Sequence, residues 1–277
     1  MNPLADYLSP AGYAGPSGLR SLAAEARVVC EASHLARSRT PRAHQGIGNN
    51  HPVLLVPGFL AGDVTLRAMS GQLRAAGYRT YRSRMHANVR CTQATGEALE
   101  ERLEAIVRKA GRPAAVVGHS LGGLLAKGLA HRRPDLVAGI VTMGSPLLAP
   151  GAVHPVLAFD LMLLNRLQRW GFADLMGADC TSGDCARTSW QELTARTQEG
   201  FEFTSIYSRR DGIVDWHACL DPDATHVEVD CSHVGMAVDR TALGHVLAGL
   251  GRITAAARRR RRGGRPARAG RRRVASM

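Results

Sequence analysis

The run GHSLGGLL, residues 118–125, sets Ser120 between Gly118 and Gly122 directly behind the apolar stretch AAVV. A serine hydroxyl attacks a carbonyl only when a base accepts its proton and a third group orients that base. It must also stand clear of the backbone at a strand end. Flanking glycines allow this, because a tight strand-to-helix turn leaves no room for side chains beside the serine. The segment behind it, LGGLLAKGLAHRRPD, reads as a helix ended by Pro134. Ser120 is therefore the candidate nucleophile, and the rest of the chain must supply a base and an acid.

Candidates follow in the order serine, acid, histidine, each just past a strand-like run. FEFTSIYSRRDGIVDW offers Asp211, three residues beyond Ser208 and followed by Gly212; Asp215, deeper in the same loop, is the less favoured rival. VEVDCSHVGM offers His233 behind the last strand-like run. His226 precedes the core of that run, His245 lies inside the final helix, and His119 should point away from the turn, so all three are read as structural. An oxyanion needs backbone N–H donors. Leu121, at the positive end of the new helix, is one candidate, and Phe59, after the Pro57-Gly58 turn in LLVPGFLAG, is the other.

These residues require a scaffold that delivers strand ends to one place. Strand-like runs cover residues 51–58, 78–85, 114–120, 137–146, 201–208 and 225–233, with helical patterns between most of them. That alternation implies an α/β fold: a mostly parallel sheet of about six or more strands with helices on both faces. The main domain spans residues 52–250. Residues 1–51 form a helical extension whose amphipathic part, 17–37, should pack on the body. Residues 251–277 are expected to be a disordered Arg-rich tail. Residues 147–200 are too long for a plain loop and contain VLAFDLMLLNRLQRWGFADLM, apolar almost all round. Such a helix should be covered on more than one side. A small helical lid is expected there, with Phe159, Leu163, Leu164, Leu167 and Trp170 as candidate contacts for an acyl chain or similar apolar group.

Composition narrows the class. Apolar residues make up 45% and charged residues 21% of the 277, ordinary for a soluble globular protein. No run approaches the roughly 18–20 apolar residues of a membrane span. The start, MNPLADYLSPAGYAGP, lacks the basic and apolar regions of a secretory signal, so a cytoplasmic location is expected. Ten arginines between Arg258 and Arg273 carry most of the formal charge of +13, leaving +3 for everything else. A solvated tail is the simpler reading; contact with nucleic acid or an anionic membrane surface is the sharper one. No phosphate-binding GxxxxGK[ST] or GxGxxG follows a strand. The six cysteines (Cys30, Cys91, Cys180, Cys185, Cys219 and Cys231) form no CxxC pair and no zinc-type Cys/His spacing, so neither metal nor cofactor is expected. A Cys180–Cys185 bridge is geometrically possible, but free thiols are expected in a reducing compartment.

With these motifs in place the chain resembles the α/β-hydrolase superfamily, and within it bacterial lipase/esterase-like members with PGFLAG-type and YSxxDGIV/SHxGM-type segments. The resemblance covers residues 52–250. It implies a serine hydrolase acting on carboxylic esters, with Ser120 as nucleophile, His233 as base, Asp211 as orienting acid, and Phe59 and Leu121 as oxyanion donors. Acyl transfer or thioester cleavage would use the same three residues, and a non-catalytic scaffold docked through the Arg tail is the alternative of another class. Many relatives carry His-Gly where this chain has Pro57-Gly58. Secreted relatives often bridge the acid-to-base region, which makes Cys219–Cys231 a candidate disulfide.

Overall fold

The computed structural model describes residues 8–37, 46–172 and 174–263. All six strand-like runs become strands of one parallel sheet: β1 Pro52–Val56, β2 Arg79–Arg82, β3 Ala114–His119, β4 Val137–Met143, β5 Glu202–Ser208 and β6 Thr225–Val229. Their order across the sheet is β2-β1-β3-β4-β5-β6. β1 and β3 are buried along their whole length, which is why they read as unbroken apolar runs rather than alternating patterns. The polar run 78–85 yields β2, which lies at the sheet edge with Arg79 and Arg82 exposed.

The helices are α1 Leu19–Ala24, α2 Val28–Arg37, α3 Arg67–Ala75, α4 Thr92–Ala110, α5 Leu121–Arg132, α6 Pro155–Arg169, α7 Asp179–Ser182, α8 Asp184–Thr194 and α9 Arg240–Gly263. They sort the strand residues into two cores. Val53, Leu55, Val117 and Val141 pack with Met69 and Leu73 of α3 and with Val246 and Leu250 of α9. Leu54, Val56, Val116 and Ile140 pack on the opposite face with Leu103 of α4 and Leu129 of α5. The period-2 alternation of strand side chains thus supplies both layers from the same residues.

Two expectations change. The boundary at 251 falls inside α9, which continues to Gly263 with Ile253 and Ala256 buried. The apolar spacing Leu243, Leu247, Leu250, Ile253 carries the helical face past the glycines, so the first arginines of the expected tail, from Arg258, belong to a helix; Arg265 to Arg273 lie outside the described residues. The segment between β4 and β5 does carry helices, but α8 packs against α4 and α5 and contributes Leu193 to the core, so it is part of the body. Among the described residues, no helix is long and apolar enough to cross a membrane.

Behind the sheet, Lys127 of α5 is buried and ion-paired with Asp221, in the connection from β5 to β6. A buried pair is costly to break from one side, because the remaining charge is left unsolvated. Lys127→Met should therefore lower stability by about 3–5 kcal/mol in urea unfolding. Adding Asp221→Leu should return most of the loss, since no charge is then left alone.

Candidate active site

After β1 the chain moves outward to β2 and then returns to the other side of β1 as β3. This reversal leaves a crevice at the carboxyl ends of β1 and β3, the place where open α/β sheets bind ligands. The Pro57-Gly58-Phe59 turn leaves β1 there, and Ser120 leaves β3 there.

Ser120 has φ 52° and ψ −123°, a conformation an L residue adopts only when its surroundings impose it. Its N–H donates to the carbonyl of Met143 at 2.8 Å and its carbonyl accepts from Gly123 at 2.9 Å. The two motif glycines are packing requirements. A Cβ on Gly118 would overlap the backbone of Gly122, and one on Gly122 would overlap the carbonyl of Val56. Gly58 is also closely packed, though less so, since its Cβ would lie 3.0 Å from that of Ser120.

Asp211 and His233, both buried, arrive from the loops after β5 and β6 and meet with Asp211 Oδ2 2.7 Å from His233 Nδ1. The other carboxylate oxygen of Asp211 accepts the N–H groups of Ile213 and Val214 at 2.9 and 2.7 Å, which fixes its plane. Gly144, at the end of β4, sits against this pair with φ 54°, and a Cβ there would come within 2.9 Å of His233 Nδ1. Asp215 is occupied elsewhere: Oδ1 lies 2.7 Å from His217 Nδ1, and Oδ2 accepts the N–H of Ala14 at 3.1 Å. The geometry separates the two candidate acids. His119 turns its ring back so that Nε2 lies 2.9 Å from the backbone carbonyl of His233, and His226 Nε2 lies 2.7 Å from the carbonyl of Asp221.

Burial alone would lower the pKa of His233, but the Asp211 charge and hydrogen bond, with Glu25 behind them, outweigh it and leave the value raised. The neighbouring His119 is pushed down to about 4 by burial and then by His233, so near neutral pH it is an uncharged support for the loop.

Sequence reasoning missed Glu25. It lies in the turn joining α1 and α2, where the amphipathic pattern speaks only of packing. Its Oε1 accepts the N–H of Gly212 at 2.9 Å and of His233 at 3.0 Å, and its Oε2 accepts that of Val234 at 2.9 Å. One carboxylate therefore ties the acid loop to the base loop. Glu31 of α2 adds a second tie, accepting the N–H and hydroxyl of Ser232 at 3.0 and 2.8 Å. No short-range signal marks these glutamates; only the tertiary fold brings them to the loops.

Ser120, Phe59 and Leu121 share the wall of a cavity of about 470 Å³ with Leu157, Leu161 and Met162 of α6. The five apolar residues expected to meet a substrate do not line it. Phe159 and Trp170 are 60% and 68% exposed, and Leu163 is 47% exposed. Leu164 is buried and Leu167 half-buried, both away from the cavity wall. A helix apolar on every side hides its phase, and here the inward stripe is Leu157, Leu161 and Asn165. All six cysteines are free, so Cys219 and Cys231 are buried thiols and not a bridge.

The alpha/beta hydrolase fold family matches residues 52–179, which contain β1 to β4 and Ser120. The chain has the α/β-hydrolase fold. Among solved structures it is similar to a monoacylglycerol lipase from Paleococcus ferrophilus, at 14% identity over 72% of this chain and 94% of that one, with a TM-score of 0.51. It is also similar to the mature lipase BlEst2 from Bacillus licheniformis, at 14% identity over 77% and 94% of the two chains and a TM-score of 0.53. A monoglyceride lipase from Saccharomyces cerevisiae aligns at 13% identity over 75% and 87%, also with a TM-score of 0.53. At such identities the likeness carries the fold alone. In this chain the turn at Glu25 clasps the two loops carrying Asp211 and His233.

The clasp has an electrostatic signature. Glu25→Gln keeps the size of the side chain but removes the charge that helps raise the His233 pKa. An imidazole NMR titration should show His233 titrating at lower pH in the variant. The sign carries to stability: a raised histidine pKa stabilises the fold below the ordinary value of roughly 6.5, and that contribution disappears as pH rises through the raised value. The variant should lose part of this acid-side stabilisation.

Proposed function

We propose that the chain is a serine hydrolase that cleaves carboxylic esters carrying an apolar acyl group, through an acyl-enzyme on Ser120. The observation that carries this reading is the combination along the carboxyl edge of the sheet. A serine held at positive φ after β3 opens onto a cavity with apolar walls, and a buried His233–Asp211 pair lies beyond the ends of β5 and β6. A serine with only a structural role needs neither the strained backbone nor the cavity.

In this reading Ser120 Oγ attacks the ester carbonyl while His233 Nε2 takes its proton, and Asp211 holds Nδ1 protonated and stabilises the imidazolium. The N–H groups of Leu121 and Phe59 receive the oxyanion; each such donor typically contributes about 3 kcal/mol of transition-state stabilisation. His233 then returns the proton to the leaving alcohol oxygen. Water, deprotonated by His233, attacks the acyl-enzyme and releases the acid and Ser120. The acyl group occupies the space between Leu121 and the α6 stripe of Leu157 and Leu161.

Steady-state hydrolysis of p-nitrophenyl esters of increasing chain length tests the proposal. Ser120→Ala should reduce kcat by on the order of 10⁶, and Asp211→Asn by about 10⁴, with the folded structure retained by circular dichroism. Folded wild-type protein that hydrolyses no ester of any length would overturn the reading. Because the base must be neutral and its pKa is raised, kcat/KM should climb with pH through a value above that of an ordinary histidine.

The cavity makes a separate prediction. Leu161→Trp should fill its α6 side, cutting kcat/KM for the longest acyl chains at least tenfold while leaving acetate esters nearly unchanged. An equal loss at all lengths would place the acyl group elsewhere.

A further inference from the structure

We propose that Cys91, Cys180 and Cys185 form a three-thiolate site for a soft divalent cation of the zinc class, which staples the segment between β4 and β5 to the start of α4. Cys180 and Cys185 lie five residues apart, but Cys91 comes from 94 residues before Cys185, so cysteine spacing gave no sign of a metal site. Their sulfurs converge: Cys185 Sγ lies 3.7 Å from that of Cys91 and 3.5 Å from that of Cys180, and all three lie within 4.8 Å of one another. Two sulfurs bound to a tetrahedral zinc at about 2.3 Å are themselves roughly 3.8 Å apart. The spacing already present is therefore close to the spacing a metal requires.

The surrounding backbone holds that convergence in place. Residues 89–91 run antiparallel beside residues 174–176, with the Cys91 N–H donating to Asp174 at 3.0 Å and the Met176 N–H donating to Val89 at 2.8 Å. Between α7 and α8 the Asp179 carboxylate accepts the N–H of Asp184 at 2.8 Å and of Cys185 at 3.3 Å, which curls the loop so that its two sulfurs meet. Cys91 is the N-cap of α4, a 19-residue helix. Thiolate sulfur selects zinc-class and cuprous ions over hard cations. On binding, each thiol releases its proton to solvent. The fourth tetrahedral position is left for water or an exogenous donor.

The site borders the cavity, since Thr92 and Cys180 are part of its wall. A bound ion would cross-link the start of α4 to α7 and α8, independently of any chemistry at Ser120.

The test uses the full chain, purified under reductant, stripped with a chelator and titrated anaerobically with Co²⁺. One Co²⁺ per chain should bind with an intense thiolate-to-cobalt charge-transfer band in the near ultraviolet, and one equivalent of Zn²⁺ should bleach it. The band should vanish in Cys91→Ser and in Cys180→Ser/Cys185→Ser, and persist in Cys30→Ser, whose thiol is exposed and outside the cluster. A second readout needs no variant: Zn²⁺ should protect Cys91, Cys180 and Cys185 from alkylation, mapped by peptide mass, while Cys30 stays reactive. Three results would overturn the proposal. They are reduced, folded protein with neither the band nor protection, a band that survives in Cys91→Ser, and a Cys180–Cys185 disulfide that forms in preference to Zn²⁺ binding.

Discussion

Asp211 and His233 sit on loops that leave neighbouring strands, and the sheet by itself does not hold two loops 2.7 Å apart. Burial makes the contact demanding, because a buried carboxylate without partners would be neutralised instead of remaining charged. The chain meets this demand locally and at long range. Ile213 and Val214 donate to one oxygen of Asp211, and His233 takes the other. From the far end of the sequence, Glu25 gathers the N–H groups of Gly212, His233 and Val234 on one carboxylate. The N-terminal helix is thus part of the site's support. Its removal would take away the hydrogen bonds of Glu25 and Glu31 to these loops.

The strained turn at Ser120 depends on the same economy of space. Gly118, Gly122 and Gly58 let three backbone segments approach where a methyl group would clash, and the parallel sheet brings the ends of β1 and β3 together at the point where strand order reverses. Once those ends are fixed, Phe59, Ser120 and Leu121 face one cavity without further adjustment.

Much of this was legible in the sequence, and the rest was hidden for physical reasons. β1, β3 and β4 announced themselves because buried parallel strands are unbroken apolar runs, and the roles of Gly118 and Gly122 follow from sterics within one turn. In the structure Asp211 pairs with His233 and Asp215 with His217. What failed was anything that depended on phase or on long-range closure. The apolar stretch 156–176 gave no clue to which stripe turns inward, so Phe159 and Trp170 were expected at the cavity and stand outside it. The run of arginines suggested an early end to order, yet the apolar face of α9 carries the helix on to Gly263. The roles of Glu25, and the convergence of Cys91 on Cys180 and Cys185, were invisible because their partners lie far along the chain.

The central claim is that Ser120 is an activated nucleophile whose base is His233. The most direct test is peptide mapping by mass spectrometry after brief exposure of the folded protein to a fluorophosphonate, with His233→Ala treated alongside. A single adduct on Ser120, absent from the variant, is the result the account predicts. An adduct on another residue, or Ser120 labelled equally fast without His233, would contradict it.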